Sequence, residues 1–132
     1  EAAGVGMASS LSMMNPMTSP SPRSLNAKEL QQWLMSGRAI QIVDVREHSE
    51  LEIAPFPESV EHLPLSESNL WLSDLPARLT TAKPVVVICH AGIRSRSFGC
   101  WLLEQGLGHE VWNLEGGIHA WSVDVDPTVP MY

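Results

Sequence analysis

The chain has 132 residues, of which 44% are hydrophobic and 17% are charged, and these values suit one compact domain with its own hydrophobic core. Its formal net charge of -7 disfavours nucleic acid and anionic membrane surfaces as partners, because both are negatively charged. The 2 cysteines are too few for a disulfide scaffold and the 5 histidines match no zinc spacing, so we predict no metal and no other cofactor. Since neither a run of about 18 to 20 apolar residues nor a secretory pattern is present, we expect a cytoplasmic location.

The first part of the chain predicts a leader followed by a helix. Residues 1–22 are rich in Ser, Met and Pro without a sustained period, so we expect a flexible leader, part of it a processing remnant, before a single domain over residues 23–132. The next segment, NAKELQQWLMSG, predicts a short amphipathic helix. Asn26 is its expected N-cap, with Glu29 three residues later, and Gly37 is its expected end.

Strand-like and helix-like segments alternate through the rest of the chain. AIQIVDV at 39–45 and VVVIC at 85–89 have the apolar, β-branched pattern of strands buried on both faces, and SVEHL and HEVWNL are shorter strand candidates. Between them, REHSELE predicts a loop or short helix, and SNLWLSDLPARLT predicts a helix that Pro76 breaks or kinks. SRSFGCWLLEQG at 95–106 predicts a further helix, and GGIHAW predicts a turn leading into a short one. This alternation indicates an α/β layer with a mainly parallel sheet.

Cys89 stands at the end of the central predicted strand, where open parallel sheets bind their ligands. Gly92 allows the following loop, CHAGIRS, to curl so that backbone N–H groups converge, and the next helix contributes further N–H groups and the positive end of its dipole. Such surroundings favour the thiolate, which is the nucleophilic form of cysteine. Arg94 offers a planar pair of donors for an anionic substrate. The alternative is that Cys89 is only a small buried hydrophobic residue.

The same residues resemble the single-domain rhodaneses, which are thiosulfate or persulfide sulfurtransferases. The resemblance covers about residues 24–132 and depends on VDVRE at 43–47, VVVICHAGIRS at 85–95 and LEGGIHAW at 114–121. It implies a rhodanese-like α/β fold, in which a small, mainly parallel sheet of five strands has helices on both faces.

The resemblance also implies roles for particular residues. Cys89 is expected to take a sulfane sulfur from a small anionic donor such as thiosulfate, or from a persulfide, and to pass it to a thiol or protein acceptor through a cysteine persulfide. Asp44 and Arg46 are expected to form an internal pair that supports the loops. Glu115, Gly116 and Gly117 are expected to shape a turn beside the active loop, which runs from Cys89 to Ser95. The residues expected to bind the substrate are His90, Ala91, Gly92, Ile93, Arg94 and Ser95.

Two other functions remain open at this point. A docking or regulatory module could retain the fold without turnover, although such domains usually lack the cysteine. A phosphatase or arsenate reductase of the same fold has one more residue between the cysteine and the arginine. Here His90, Ala91, Gly92 and Ile93 separate Cys89 from Arg94, and this shorter loop implies a smaller pocket, suited to sulfur.

Overall fold

A computed structural model of the protein describes residues 19–132, so most of the predicted leader lies outside the described residues. Its five strands all run parallel in one sheet, in the order β1-β5-β4-β2-β3. This arrangement confirms the predicted α/β class and the five-stranded parallel sheet. The strands are β1 (Arg23–Leu25), β2 (Gln41–Asp44), β3 (Glu61–His62), β4 (Val85–Ile88) and β5 (Val111–Leu114).

Helices connect the strands and cover the sheet. Two 3₁₀ turns, Leu65–Glu67 and Leu72–Asp74, flank the third α-helix. In the described part of the chain, no helix has the length and apolar character needed to cross a membrane. The α-helices are α1 (Ala27–Met35), α2 (His48–Ile53), α3 (Ser68–Trp71), α4 (Leu75–Arg78), α5 (Ile93–Glu104) and α6 (Gly117–Asp124).

The two faces of the sheet support two separate hydrophobic clusters, because successive side chains of a strand point to opposite faces. On one face, Val86 and Ile88 of the central strand pack in a cluster with Leu30 of α1 and Trp121 of α6. On the other face, residues of α3, α4 and α5 pack over the remaining strand positions. That second cluster contains Val43, Val85, Val87, Trp71, Leu75, Phe98 and Leu102, together with Cys89. The predicted placement of helices on both faces is therefore confirmed.

Local signals located α1 correctly. The Asn26 side chain accepts a hydrogen bond from the Glu29 backbone N–H at 2.8 Å, and the Glu29 carboxylate accepts one from the Asn26 N–H at 2.9 Å. This is the reciprocal capping that the sequence predicts. Past the end of the helix, Gly37 has a φ of +74°, in the left-handed region that glycine tolerates.

Three sequence predictions differ from the structure. Strand β1 was not predicted, because of its three residues only Leu25 is apolar and buried. The segment containing Pro76 divides earlier than expected, after Trp71, and Pro76 lies in the first turn of α4, where proline is tolerated because its missing N–H would have no helical partner. Helix α5 begins at Ile93, two residues before the predicted start.

Candidate active site

The Cys89 side chain lies at the carboxyl end of β4, directly beneath the loop that leads to α5. Its Sγ atom accepts hydrogen bonds from the backbone N–H groups of Gly92, at 3.1 Å, and Ser95, at 3.3 Å. The Ser95 Oγ lies 3.2 Å from the same sulfur. Although Cys89 is only 1% exposed, the polar groups of its loop face the sulfur. These donors would stabilise negative charge on the sulfur, as the sequence predicts.

The early start of α5 explains how the Ser95 N–H reaches the sulfur. The first N–H groups of an α-helix have no partner within the helix, and they point out of its N-terminal end. Because α5 begins at Ile93, Ser95 lies in its first turn and its N–H is available to Cys89. The sulfur therefore receives both a loop donor and a helix N-terminal donor.

Glycines allow two loops to meet tightly around Cys89. Gly92 has a φ of +96°, and a Cβ atom there would lie 3.0 Å from the Gly116 backbone nitrogen. Gly117 has a φ of +60°, and a Cβ there would lie 2.3 Å from the carbonyl oxygen of Cys89. The Ile118 N–H donates to that same carbonyl at 2.9 Å. The turn that begins α6 thus packs directly against the cysteine loop, which confirms its expected place.

A buried polar side chain of β5, Asn113, connects these loops. Its Nδ2 group donates to the Gly92 carbonyl at 3.1 Å and to the Glu115 carboxylate at 2.8 Å. Its Oδ1 accepts a hydrogen bond of 2.5 Å from the Ser95 hydroxyl. Since the Ser95 hydroxyl has a single proton, it can donate either to Asn113 or to the Cys89 sulfur. Asn113 therefore holds the Ser95 hydroxyl in a position from which it can rotate and donate its proton to a Cys89 thiolate.

Removal of the Ser95 hydroxyl is expected to make Cys89 less reactive. In Ser95→Ala the backbone N–H remains but the thiolate loses one donor, and a hydrogen bond to a charged group contributes about 1.5 to 3 kcal/mol. We expect alkylation of Cys89 in the folded protein by iodoacetamide at pH 7 to slow by roughly tenfold. The extent of alkylation is measured after digestion, on the peptide that contains Cys89. Ser97→Ala, which removes an exposed hydroxyl from the same helix, is the control and should leave the rate unchanged. Equal rates in both variants would contradict this role of Ser95.

The guanidinium of Arg94 lies on the carboxylate of Glu50 in α2. Its two terminal nitrogens donate to the two carboxylate oxygens at 2.7 and 2.8 Å. The hydrogen bonds from Arg94 lower the pKa of Glu50 to about 2, and the same pairing raises the pKa of Arg94. Both groups therefore remain charged at neutral pH. The structure thus places Arg94 near the end of the loop that follows Cys89 and gives its two terminal nitrogens an internal partner.

Tyr132 extends this network over the active loop. Its hydroxyl donates to Glu50 at 2.9 Å and accepts from the Arg46 guanidinium at 3.1 Å. Its ring stacks on the His90 ring, with the two centroids 4.1 Å apart and the planes 18° from parallel. Burial raises the pKa of Tyr132, so the hydroxyl keeps its proton for donation to Glu50. Tyr132 therefore links His90, the residue that follows Cys89, to the charged side chains of Glu50 and Arg46.

Asp44 and Arg46 form the internal pair that the resemblance implies. Both side chains are 0% exposed, and the Arg46 Nη2 atom lies 2.8 Å from the Asp44 carboxylate. The Arg46 Nε atom and its backbone N–H also donate to this carboxylate, at 3.0 and 3.1 Å. The His62 ring nitrogen lies 2.6 Å from the Arg46 carbonyl. The pair therefore connects the ends of β2 and β3 with the tail of the chain.

The predicted loop residues differ in what they contact. The backbone N–H groups of Gly92 and Ser95 donate hydrogen bonds to the sulfur. Ala91 and Ile93 are instead exposed to solvent, and Ile93 is 75% exposed. Sequence reasoning missed Glu50, Asn113 and Tyr132. Only Asn113 gave a local signal, since a polar side chain near the end of an otherwise apolar strand requires a buried partner.

Comparison with known proteins gives consistent results. The family profile described as "Rhodanese-like domain" matches residues 26–124. The chain is 40% identical over 92 residues to "Rhodanese-like/PpiC domain-containing protein 12, chloroplastic" of Arabidopsis thaliana, covering 70% of this chain and 30% of that protein. It is 33% identical over 122 residues to "Adenylyltransferase and sulfurtransferase MOCS3" of Drosophila persimilis, covering 89% of this chain and 27% of that protein.

A solved structure shows the same fold. The thiosulfate sulfurtransferase of Pseudomonas aeruginosa superposes with a TM-score of 0.63 at 27% sequence identity, over 77% of this chain and 19% of that one. The matched region is thus less than a third of each of these three longer proteins. What the similarity covers is the single α/β unit that carries Cys89 and its loop.

Proposed function

Because the chain belongs to the rhodanese-like domain family, we propose that it is a sulfurtransferase that carries a sulfane sulfur as a persulfide on Cys89. The observation that supports this most directly is the pair of backbone N–H groups, from Gly92 and Ser95, that bond the Cys89 sulfur. The names of two similar proteins include sulfurtransferase, which agrees with this chemistry. The loop from His90 to Ser95 is the proposed substrate-binding segment.

The proposed reaction has two displacement steps. In the first, the Cys89 thiolate attacks the outer sulfur of the donor, the donor's sulfur–sulfur bond breaks, and the leaving group departs with the electron pair. With thiosulfate as donor, the products are the Cys89 persulfide anion and sulfite. In the second step, an acceptor thiolate attacks the outer sulfur of the persulfide, which yields the acceptor persulfide and restores the Cys89 thiolate. The two steps predict ping-pong kinetics.

The donors around the sulfur suit both forms of Cys89. A thiolate and a persulfide each carry one negative charge, so fixed N–H groups that stabilise one can stabilise the other without rearrangement of the backbone. The Ser95 hydroxyl can rotate to donate to either sulfur form. The buried pair of Asp44 and Arg46 supports the loops and has no proposed role in proton transfer, because a thiolate needs no base.

The intact mass of the protein tests the proposal. After exposure to thiosulfate or to an alkyl persulfide, the unreduced protein is expected to gain the mass of one sulfur atom and to lose it again on addition of cyanide or a thiol. Cyanide should appear as thiocyanate in amounts equal to the protein. A protein that gains no sulfur from either donor would refute the sulfurtransferase proposal and leave the docking or regulatory function as the better account.

A cytoplasmic location remains a prediction, and the Arabidopsis relative is named as chloroplastic.

A further inference from the structure

The Arg94–Glu50 pair has a consequence for the kind of sulfur donor the site accepts. The Arg94 fork is the part of the active loop best suited to bind an anionic group, because its planar donors match two oxygens at once. In the structure this place is already taken, since both terminal nitrogens bond the Glu50 carboxylate at 2.7 and 2.8 Å. A donor's anionic end would therefore have to displace a carboxylate of this protein.

Glu50 is held in this position by other contacts as well. Its Oε1 accepts a hydrogen bond from the Glu47 N–H at 2.9 Å, and its Oε2 accepts one from the Tyr132 hydroxyl at 2.9 Å. The carboxylate side chain is 16% exposed, compared with 37% for that of Arg94. Its pKa of about 2, lowered mainly by the hydrogen bonds from Arg94, keeps it ionised at any pH at which the enzyme would work. The carboxylate is thus a fixed negative charge beside the loop.

The other cations in this region are also neutralised. Arg46 is paired with Asp44, and Arg96 forms an ion pair with Glu115, the carboxylate that also binds Asn113. Within residues 19–132, each arginine that contacts the polar network around Cys89 therefore has a carboxylate partner. Bringing a doubly charged donor into this region gains little from unpaired positive charge and meets several negative groups.

We propose that Glu50 is a specificity-determining residue, whose carboxylate competes with the donor for Arg94 and makes the site favour singly charged sulfur donors over dianionic ones. The inference depends on the proposed sulfurtransferase function and assigns its donor class, an organic persulfide or thiosulfonate in preference to thiosulfate. The single negative charge of such a donor lies on the sulfur that Cys89 attacks or on its leaving group. Binding this donor therefore does not require an additional cation for a second negative charge. Glu50 does not touch the reacting sulfur and acts through Arg94.

Two donors that differ by one charge provide the test. Thiosulfate is a dianion, and methanethiosulfonate is its counterpart in which a methyl group replaces one oxygen, so that it is a monoanion. Each transfers its outer sulfur to the Cys89 thiolate, and the leaving groups are sulfite and methanesulfinate respectively. Steady-state kinetics with cyanide as acceptor would give kcat/KM for each donor. The ratio of the two values, methanethiosulfonate over thiosulfate, measures the charge preference.

Glu50→Gln should free Arg94 for the donor and lower this preference. We expect the KM for thiosulfate to fall by about tenfold, because one like charge is removed and one guanidinium becomes available. The KM for methanethiosulfonate should change by less than about twofold, and kcat for both donors should stay similar, since the interaction is with the donor's remote group. The charge preference should therefore fall by roughly tenfold.

Two matched variants separate this effect from a general change of charge. Glu47→Gln removes a carboxylate three residues away, whose side chain accepts hydrogen bonds from Ser66 and from the Glu50 backbone N–H, bonds that the glutamine amide oxygen can keep, and it should change the preference by less than about twofold. In an Arg94→Met background, Glu50→Gln should no longer alter the preference, because its proposed route of action is absent. Thermal unfolding of each variant identifies any that has lost its fold, in which case the remaining variants decide.

The outcomes separate the two proposals. If the wild-type protein turns over with both donors but Glu50→Gln leaves their ratio unchanged, or if Glu47→Gln changes it equally, the assignment of Glu50 is wrong while the sulfurtransferase function stands. If neither of these donors nor an alkyl persulfide loads the wild-type protein, the sulfurtransferase function itself fails. A tenfold shift confined to Glu50→Gln, and lost in the Arg94→Met background, supports the proposal.

Discussion

Replacement of Cys89 by serine is expected to abolish sulfur transfer, with the rate falling by roughly 10³-fold or more. A serine hydroxyl stays protonated at neutral pH and cannot form a persulfide, so the first displacement step has no nucleophile. The substitution should leave the fold intact, because serine is close to cysteine in size and its oxygen can accept the hydrogen bonds that Gly92 and Ser95 donate to the sulfur. The measurement is thiocyanate formation, together with the intact mass after exposure to donor.

Cys100 provides the matched control for this experiment. It is the second free cysteine of the described chain, and it lies on α5, half-buried. Cys100→Ser should gain one sulfur as the wild-type protein does, and should turn over at a similar rate. If Cys89→Ser still gained a sulfur atom, or if Cys100→Ser failed to gain one, Cys89 would not be the residue that carries the sulfur.

Replacement of Arg46 by methionine is expected to lower the free energy of unfolding by about 3 to 5 kcal/mol, because it leaves the Asp44 carboxylate buried without its partner. Both side chains are 0% exposed in the structure, so water cannot take the place of the guanidinium. The Tyr132 hydroxyl would also lose the hydrogen bond that it accepts from Arg46. Urea unfolding followed by tryptophan fluorescence would measure the change.

Two further variants test whether burial of the charge causes this loss. Arg78→Met breaks a more exposed pair, in which the Arg78 and Glu61 side chains are 33% and 35% exposed, and it should cost no more than about 1 kcal/mol. Adding Asp44→Asn to Arg46→Met removes the isolated charge and should restore part of the stability. An Arg46→Met protein within 1 kcal/mol of the wild type would show that the Asp44 carboxylate can find other partners.

Elements with a complete local pattern were predictable from the sequence. The capping residues Asn26 and Glu29 specify the start of α1 without help from the rest of the chain. The run VVVI has the β-branched, wholly apolar pattern of a strand covered on both faces, and all four residues of β4 are buried. In these cases the information lies within a few neighbouring residues, so one short window is sufficient.

Elements that depend on tertiary contacts were not predictable in the same way. The three-residue strand β1 exists because it pairs with β5, with Ser24 opposite Asn113, and no window around it has a strand period. Helix α5 begins at Ile93, two residues before the predicted start, and this earlier start places the Ser95 N–H in the first turn, where it reaches the Cys89 sulfur. The existence of β1 is therefore determined by a partner from another part of the chain, and the exact start of α5 by the packing of its first turn.

The surroundings of Cys89, which we propose as the reactive residue, were predictable from its own short segment of the chain. A cysteine after a buried strand, a glycine three residues later and a helix start beyond it are consecutive features, and their backbone geometry follows from the residue types. The groups that act on that loop from outside could be identified only once the packing of the whole domain was known. Glu50 meets Arg94 across 44 residues of chain, and Asn113 meets Ser95 across 18, because the parallel strands bring their carboxyl ends to one edge of the sheet. Contacts at such separations leave no periodic trace in the sequence, and here they decide whether the arginine is free to bind an anion.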